Sequence, residues 1–274
     1  MESAVKGKTV ALVTGASSGI GYEYARQLAE RRYNLLLVSN EEEPIQKVAR
    51  ELSIHYSVSV EGLYRDLSHL DAASSLYCYC RENDIVVEIL INNAGIFFFN
   101  DVINVNTGKL SVIVNLHVYT VTMLCHFFGE DMAKRGKGYI LNMSSLAAKI
   151  PYPGISVYAA TKSYVRTLSK AMYNEMYDKG VIVTAVCPGG VATNLYNLKP
   201  ELLRLGVRLG ILMPTKKLAY RGLSAMFAGK RCITPGWINY LFSFSFLIKY
   251  KTGGVFLRLK ASIFMIEKYF GRRD

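Results

Sequence analysis

At 274 residues, 51% of them hydrophobic and 20% charged, the chain is long enough to bury a large core and too apolar to be disordered. Cys78, Cys80, Cys125, Cys187 and Cys232 form no Cys-x-x-Cys and do not group with the four histidines, so reduced thiols are expected and no zinc site. The net charge of +12 is lopsided: residues 1–199 carry 19 basic against 18 acidic groups, whereas residues 200–274 carry 14 against 3.

A short apolar run, T-V-A-L-V at 9–13, reads as a first strand. No apolar signal segment precedes it, which leads to the expectation of a cytoplasmic protein. The glycine-rich stretch T-G-A-S-S-G-I-G at 14–21 follows, then a helix over 22–32 with Ala25, Leu28 and Ala29 on one face. Further strands are predicted at 35–38, 58–64, 86–91, 139–143 and 181–186, alternating with helices at 44–53, 71–82, 107–133 and 155–178. Continuous apolar strands alternating with helices mean a parallel sheet covered on both faces, an α/β doubly wound Rossmann fold.

Past residue 194 the alternation fails. Helices are predicted at 201–212 and 214–228, with a last short strand at 232–234. From Trp237 the chain is aromatic and basic, and its apolar run of about twelve residues falls short of the roughly twenty that span a bilayer. One domain is expected, with a core at 1–194, a lid and final strand at 195–236, and a basic aromatic extension at 237–274.

In the glycine stretch, Gly15 permits a tight turn, Gly19 lets backbone approach a pyrophosphate, and Gly21 lets the helix pack on the sheet. Six ordered motifs extend the pattern: this loop, Asp66-Leu67, N-N-A-G at 92–95, Asn115, the S-S and Tyr158-A-A-T-Lys162 pair of signals, and Pro188-Gly189-x-x-x-Thr193. Together they resemble the short-chain dehydrogenase/reductase family over residues 8–194.

Tyr158 and Lys162 are four apart on a helix and share a face. A tyrosine ionises near pH ~10, and a neighbouring ammonium favours its phenolate, making it a better acid or base at neutral pH. Alone, such a pair is more often an amphipathic helix face; in this order of motifs it reads as catalytic. The resemblance makes Ser145, thirteen residues before the tyrosine, the hydroxyl that bonds the substrate oxygen. It also makes Asn115 the helix-bending residue that helps hold a water in a relay through Lys162.

The resemblance further implies a nicotinamide dinucleotide held by Gly15, Ser17, Ser18, Gly19, Ile20 and Gly21, and by Ser39 and Asn40 at the end of the second strand. Asp66 would contact the adenine, Asn93, Ala94 and Gly95 would line the cofactor floor, Thr193 would bond the nicotinamide carboxamide, and Leu67, Pro188, Gly189, Val191, Tyr158 and Lys162 complete the expected cofactor contacts. NAD-preferring relatives carry an acidic residue where Ser39 stands, so NADP(H) is favoured. NAD(H) stays open because no arginine occupies position 40 and Glu41, Glu42 and Glu43 follow.

Leu202, Leu203, Leu205, Val207, Leu209, Ile211 and Leu212, with F-F-F at 97–99, suit an apolar ketone or alcohol, a long-chain 3-keto lipid or a steroid; equally, they could pack on a lid or a partner subunit. A homodimer or homotetramer is expected. The tail suits a membrane surface or a subunit interface, and nothing pairs its charge with a nucleic-acid groove. A non-catalytic dinucleotide-binding regulator is the competing class, although the Tyr/Lys pair argues for an enzyme.

Overall fold

The computed structural model describes residues 3–149, 153–193, 195 and 199–236. Its strands are β1 (Thr9–Thr14), β2 (Asn34–Ser39), β3 (Val60–Tyr64), β4 (Val86–Asn92), β5 (Gly138–Met143), β6 (Val181–Val186) and β7 (Cys232–Ile233). All pair in parallel, in the order β3-β2-β1-β4-β5-β6-β7. Between β1 and β4 the order reverses. In a doubly wound sheet the connections there leave to opposite faces, and the strand ends open a crevice.

The strands lack polar alternation because both faces are covered. Val10, Leu12, Leu36, Leu90, Ile140 and Val183 face one layer, α3 (Ala72–Glu82), α5 (Thr120–Arg135) and α6 (Ser156–Met176). Their neighbours Ala11, Val13, Leu35, Leu37, Ile89 and Leu141 face the other, α1 (Gly19–Glu30), α2 (Glu42–Tyr56) and α8 (Thr215–Phe227). Helix α1 buries Tyr24, Ala25, Leu28 and Ala29, a spacing that keeps one stripe on the sheet. A polar ladder crosses the first layer: Asn92 Nδ2 donates to Asn142 Oδ1 at 2.8 Å, and Asn142 Nδ2 to Ser169 Oγ at 2.9 Å. It ties β4, β5 and α6 together beneath the strand ends.

Several predicted extents change: the helix expected over 22–32 is Gly19–Glu30, and the one over 44–53 is Glu42–Tyr56. The strand expected from residue 58 begins at Val60. The helix expected over 107–133 is α4 (Thr107–Val114) and α5, joined without a break by a π-turn at Asn115–Tyr119. It stops at Gly136, whose left-handed φ of 70° turns the chain while its N–H bonds the carbonyls of Ala133 and Met132. The helix expected over 201–212 is α7 (Pro200–Arg208) and ends early. Gly210 takes a φ of 71°, and Met213 is drawn to the sheet, its N–H bonding Gly190 O at 2.9 Å while its carbonyl receives Ala192 N–H at 3.0 Å. The extension expected at 237–274 lies outside the described residues.

Candidate active site

The glycine loop is built by cross-bracing. Thr14 ends β1, and its Oγ1 accepts the backbone N–H groups of both Asn93 and Ala94 at 3.0 Å. Asn93 Nδ2 returns bonds to the carbonyls of Thr14 at 3.0 Å and Gly15 at 3.1 Å. The two loops lie so close that a Cβ on Gly15 would stand 2.9 Å from Ala94 Cα, and one on Gly21 only 2.0 Å from Gly15 O. Gly15 and Gly19 both take left-handed φ, 64° and 59°.

Ser18 precedes α1 in extended conformation, and no side chain caps the helix's first turn. Its leading N–H groups carry the positive end of the helix dipole, so the loop fits a pyrophosphate. Thr193 closes the other side, its methyl 3.7 Å from a Cβ position on Gly19. At the end of β2, Ser39 Oγ donates to Ser17 Oγ at 3.0 Å, and Ser17 Oγ donates to Glu41 Oε2 at 2.5 Å. A carboxylate therefore does stand at this corner, folded back from two residues beyond Ser39. Arg65 shares the wall.

Helix α6 presents Tyr158 and Lys162 on consecutive turns, with Lys162 Nζ 5.7 Å from the tyrosine ring centre. Lys162 is buried, donates to Met143 O at 3.0 Å, and is pushed down to about 8 by burial. The two serines after β5 divide their roles. Ser144 is buried and donates to the Lys162 carbonyl at 2.7 Å, whereas Ser145 is half-buried at the cavity wall and accepts Ala147 N–H at 3.1 Å. Phe97 packs edge-on against Tyr158 at 5.0 Å between ring centres. Phe99 lies over Gly154, where a Cβ would meet its ring at 2.7 Å.

Glycine loop, β2 end, Asn93–Gly95, Ser145, Tyr158, Lys162 and the Pro188–Thr193 segment wall one cavity of about 570 Å³. Two expected site residues are not in that wall. Gly21 lies beneath it, where its missing side chain lets α1 meet the Asn93 loop. Asn115 is half-buried at the head of the π-turn, while its successors Leu116 and His117 reach the cavity. None of the apolar lid residues from Leu202 to Leu212 lines it either. Leu212 instead packs on Gly190 and Gly206, where a Cβ would come within 2.7 Å. The sequence motifs did not include Glu41, Arg65, Ile96 or His117. His117 did leave a trace: it is a lone imidazole in the apolar run V-I-V-N-L-H-V.

The short chain dehydrogenase family model matches residues 9–201. Among curated relatives, the human "inactive hydroxysteroid dehydrogenase-like protein 1" is 31% identical over 244 residues, covering 86% of this chain and 70% of that protein. The very-long-chain 3-oxoacyl-CoA reductase-A of Danio rerio is 30% identical over 201 residues, 70% of this chain and 61% of that protein. A short-chain dehydrogenase from Sphingobium yanoikuyae, solved in complex with NADPH, superposes with a TM-score of 0.76 at 27% identity, covering 90% of this chain and 95% of that one. The family match spans β1 to β6, the glycine loop and the Ser145, Tyr158 and Lys162 wall alike, and the chain belongs to the short-chain dehydrogenase family.

Proposed function

We propose that the protein is an NADPH-dependent reductase of ketones on extended apolar substrates. The observation that carries this is the single cavity in which Ser145, Tyr158 and Lys162 face the glycine loop. Bound nicotinamide would supply a hydride to the carbonyl carbon. Tyr158 Oη donates the proton that the carbonyl oxygen takes up, and the Lys162 ammonium stabilises the phenolate left behind. The Ser145 hydroxyl donates a hydrogen bond to the same oxygen as its charge develops. Asn115 opens the π-turn and has no assigned contact with reacting atoms.

The absence of an acidic side chain at Ser39 favours a 2′-phosphate, and the NADPH-bound Sphingobium neighbour supports that choice. Glu41 against Ser17 opposes it, so the preference over NADH is modest. Asn40→Arg should widen the ratio of kcat/KM values, and a wild-type preference for NADH would contradict the assignment. The Danio rerio relative supports an acyl-lipid ketone, and exposed Leu205 of α7 with Leu209 and Ile211 just beyond it suit one.

A cytoplasmic homodimer or homotetramer belongs to the same proposal. Liposome co-sedimentation of the full chain against one ending at Pro235 decides between membrane surface and subunit interface for the extension.

The test is NADPH oxidation by the pure protein against keto-acyl thioesters, keto-lipids and keto-steroids. Turnover is expected with one class, and Tyr158→Phe should lower kcat by about 100-fold or more while NADPH still binds. The human relative, named an inactive protein, favours a second reading, a non-catalytic dinucleotide-binding protein. NADPH binding without turnover on any ketone would establish that reading instead.

A further inference from the structure

His117 is wholly buried in the π-turn, two residues past Asn115. Its Nε2 accepts the backbone N–H of Ile96 at 3.0 Å. A nitrogen that accepts carries no proton, so the ring is neutral and its hydrogen sits on Nδ1. That N–H donates to Thr161 Oγ1 at 3.0 Å, and the threonine hydroxyl in turn donates to the Tyr158 carbonyl at 2.9 Å. Burial, and then the nearby charge of Lys162, hold the imidazole well below its ordinary pKa, which keeps the ring neutral, while the two hydrogen bonds select the tautomer.

The contacts around the ring are close. A Cβ on Gly95 would stand 2.8 Å from His117 Nε2, so the loop rests on the imidazole only because residue 95 has no side chain; Lys162 Nζ lies at ordinary contact distance, 3.6 Å. The Tyr158 ring meets the imidazole edge-on at 5.9 Å between centres. One rigid ring therefore joins the loop expected under the cofactor to the first turn of the catalytic helix.

We propose that His117 is a positioning residue: through Ile96 N–H on one edge and Thr161 on the other, it fixes the spacing between the Asn93–Ile96 loop and Tyr158. The inference rests on the reductase reading above, in which one carbonyl must meet a hydride from the cofactor side and a proton from Tyr158. Reacting atoms held at contact distance tolerate little drift, and a displacement of about 1 Å can cost roughly 100-fold in rate. A leucine would fill the volume but leave Ile96 N–H without its acceptor and Thr161 Oγ1 without its donor.

The test combines His117→Leu, His117→Gln, Thr161→Val and the His117→Leu/Thr161→Val double variant, each compared at saturating NADPH. His117→Leu should lower kcat by about 10- to 100-fold. Its Kd for NADPH and KM for the ketone should stay near wild type, and the deuterium isotope effect with 4-deuterated NADPH should rise as hydride transfer becomes limiting. Thr161→Val should reproduce the loss, the double variant should be no worse than the poorer single, and His117→Gln, with one donor and one acceptor, should recover part of it.

Wild-type kcat in folded His117→Leu, or losses that multiply in the double variant, would overturn the proposal. Hydrogen exchange in the cofactor-free protein reads the brace without turnover. The Ile96 amide should be protected in the wild type and exchange faster in His117→Leu; unchanged exchange overturns the brace whatever the activity. A wild type that binds NADPH but reduces no ketone sinks the reductase reading instead, and leaves the exchange result standing.

Discussion

The cavity wall and the segment expected as its lid are built on opposite principles. At the glycine-loop end, Thr14 and Asn93 exchange four hydrogen bonds with the backbone of two loops, and Gly15 and Gly21 leave no room for a methyl group. In the expected lid segment, outside that wall, α7 buries none of its residues; Leu205, and Leu209 and Ile211 beyond the helix, are 50%, 60% and 65% exposed. A loop with no room for a methyl group fixes one seat, whereas an exposed surface can change its side chains at little cost to the fold.

The comparison breaks most visibly at Gly21. Gly21→Ala would force a methyl to 2.0 Å from Gly15 O, and chemical denaturation should show a loss of about 3 kcal/mol or more. A variant of wild-type stability would mean the loop is not braced as described. Asn93→Ala removes two bonds to loop carbonyls and should cost about 2 kcal/mol, together with weaker NADPH binding by fluorescence titration.

The buried cation at the same end sets a pH limb. Lys162, held at about 8, keeps its charge below that pH and loses it as pH rises through it. The kcat/KM for ketone reduction should therefore be level below about pH 8 and fall about tenfold per unit above it. A profile level to pH 10 would show that the ammonium does not assist Tyr158.

The smallest effect belongs to the lid. Leu205→Ser with Leu209→Ser should leave stability within about 0.5 kcal/mol. KM for a long-chain ketone should rise about fivefold, on the order of 1 kcal/mol, per leucine that meets the substrate. A large drop in stability with KM unchanged would make α7 a packing element and erase the contrast.

What was legible in the sequence follows the same division. β1, β2, β4, β5 and β6 are contiguous apolar runs, and the glycine loop and the Tyr158/Lys162 pair are local spacings, so each was readable in place. The early end of α7 was not, because the stop is made at a distance, where Met213 bonds the Gly190 segment. Glu41 was noted only as a run of charge; that it folds back to Ser17 is a contact across 24 residues. His117 escaped because its partners, Ile96 and Thr161, lie 21 positions before and 44 after it. The lid's leucines suited an apolar pocket by composition, yet none stands in the cavity wall.

The π-turn at Asn115–Tyr119 carries a further consequence, one of phase. Each residue advances an α-helix by about 100°, so a single extra residue rotates everything downstream by that angle. Above the bulge α4 buries only Ile113; below it α5 buries Val121, Leu124, Cys125, Phe128 and Met132 against the sheet. One continuous helix can thus hold His117 at the cavity and Phe128 in the core, a pair of orientations that an unbroken 3.6-residue repeat need not bring together. Deleting one residue between 115 and 119 would yield a more regular helix with its lower half turned away from the strands. In this segment the number of residues, and not only their kind, is fixed from both ends.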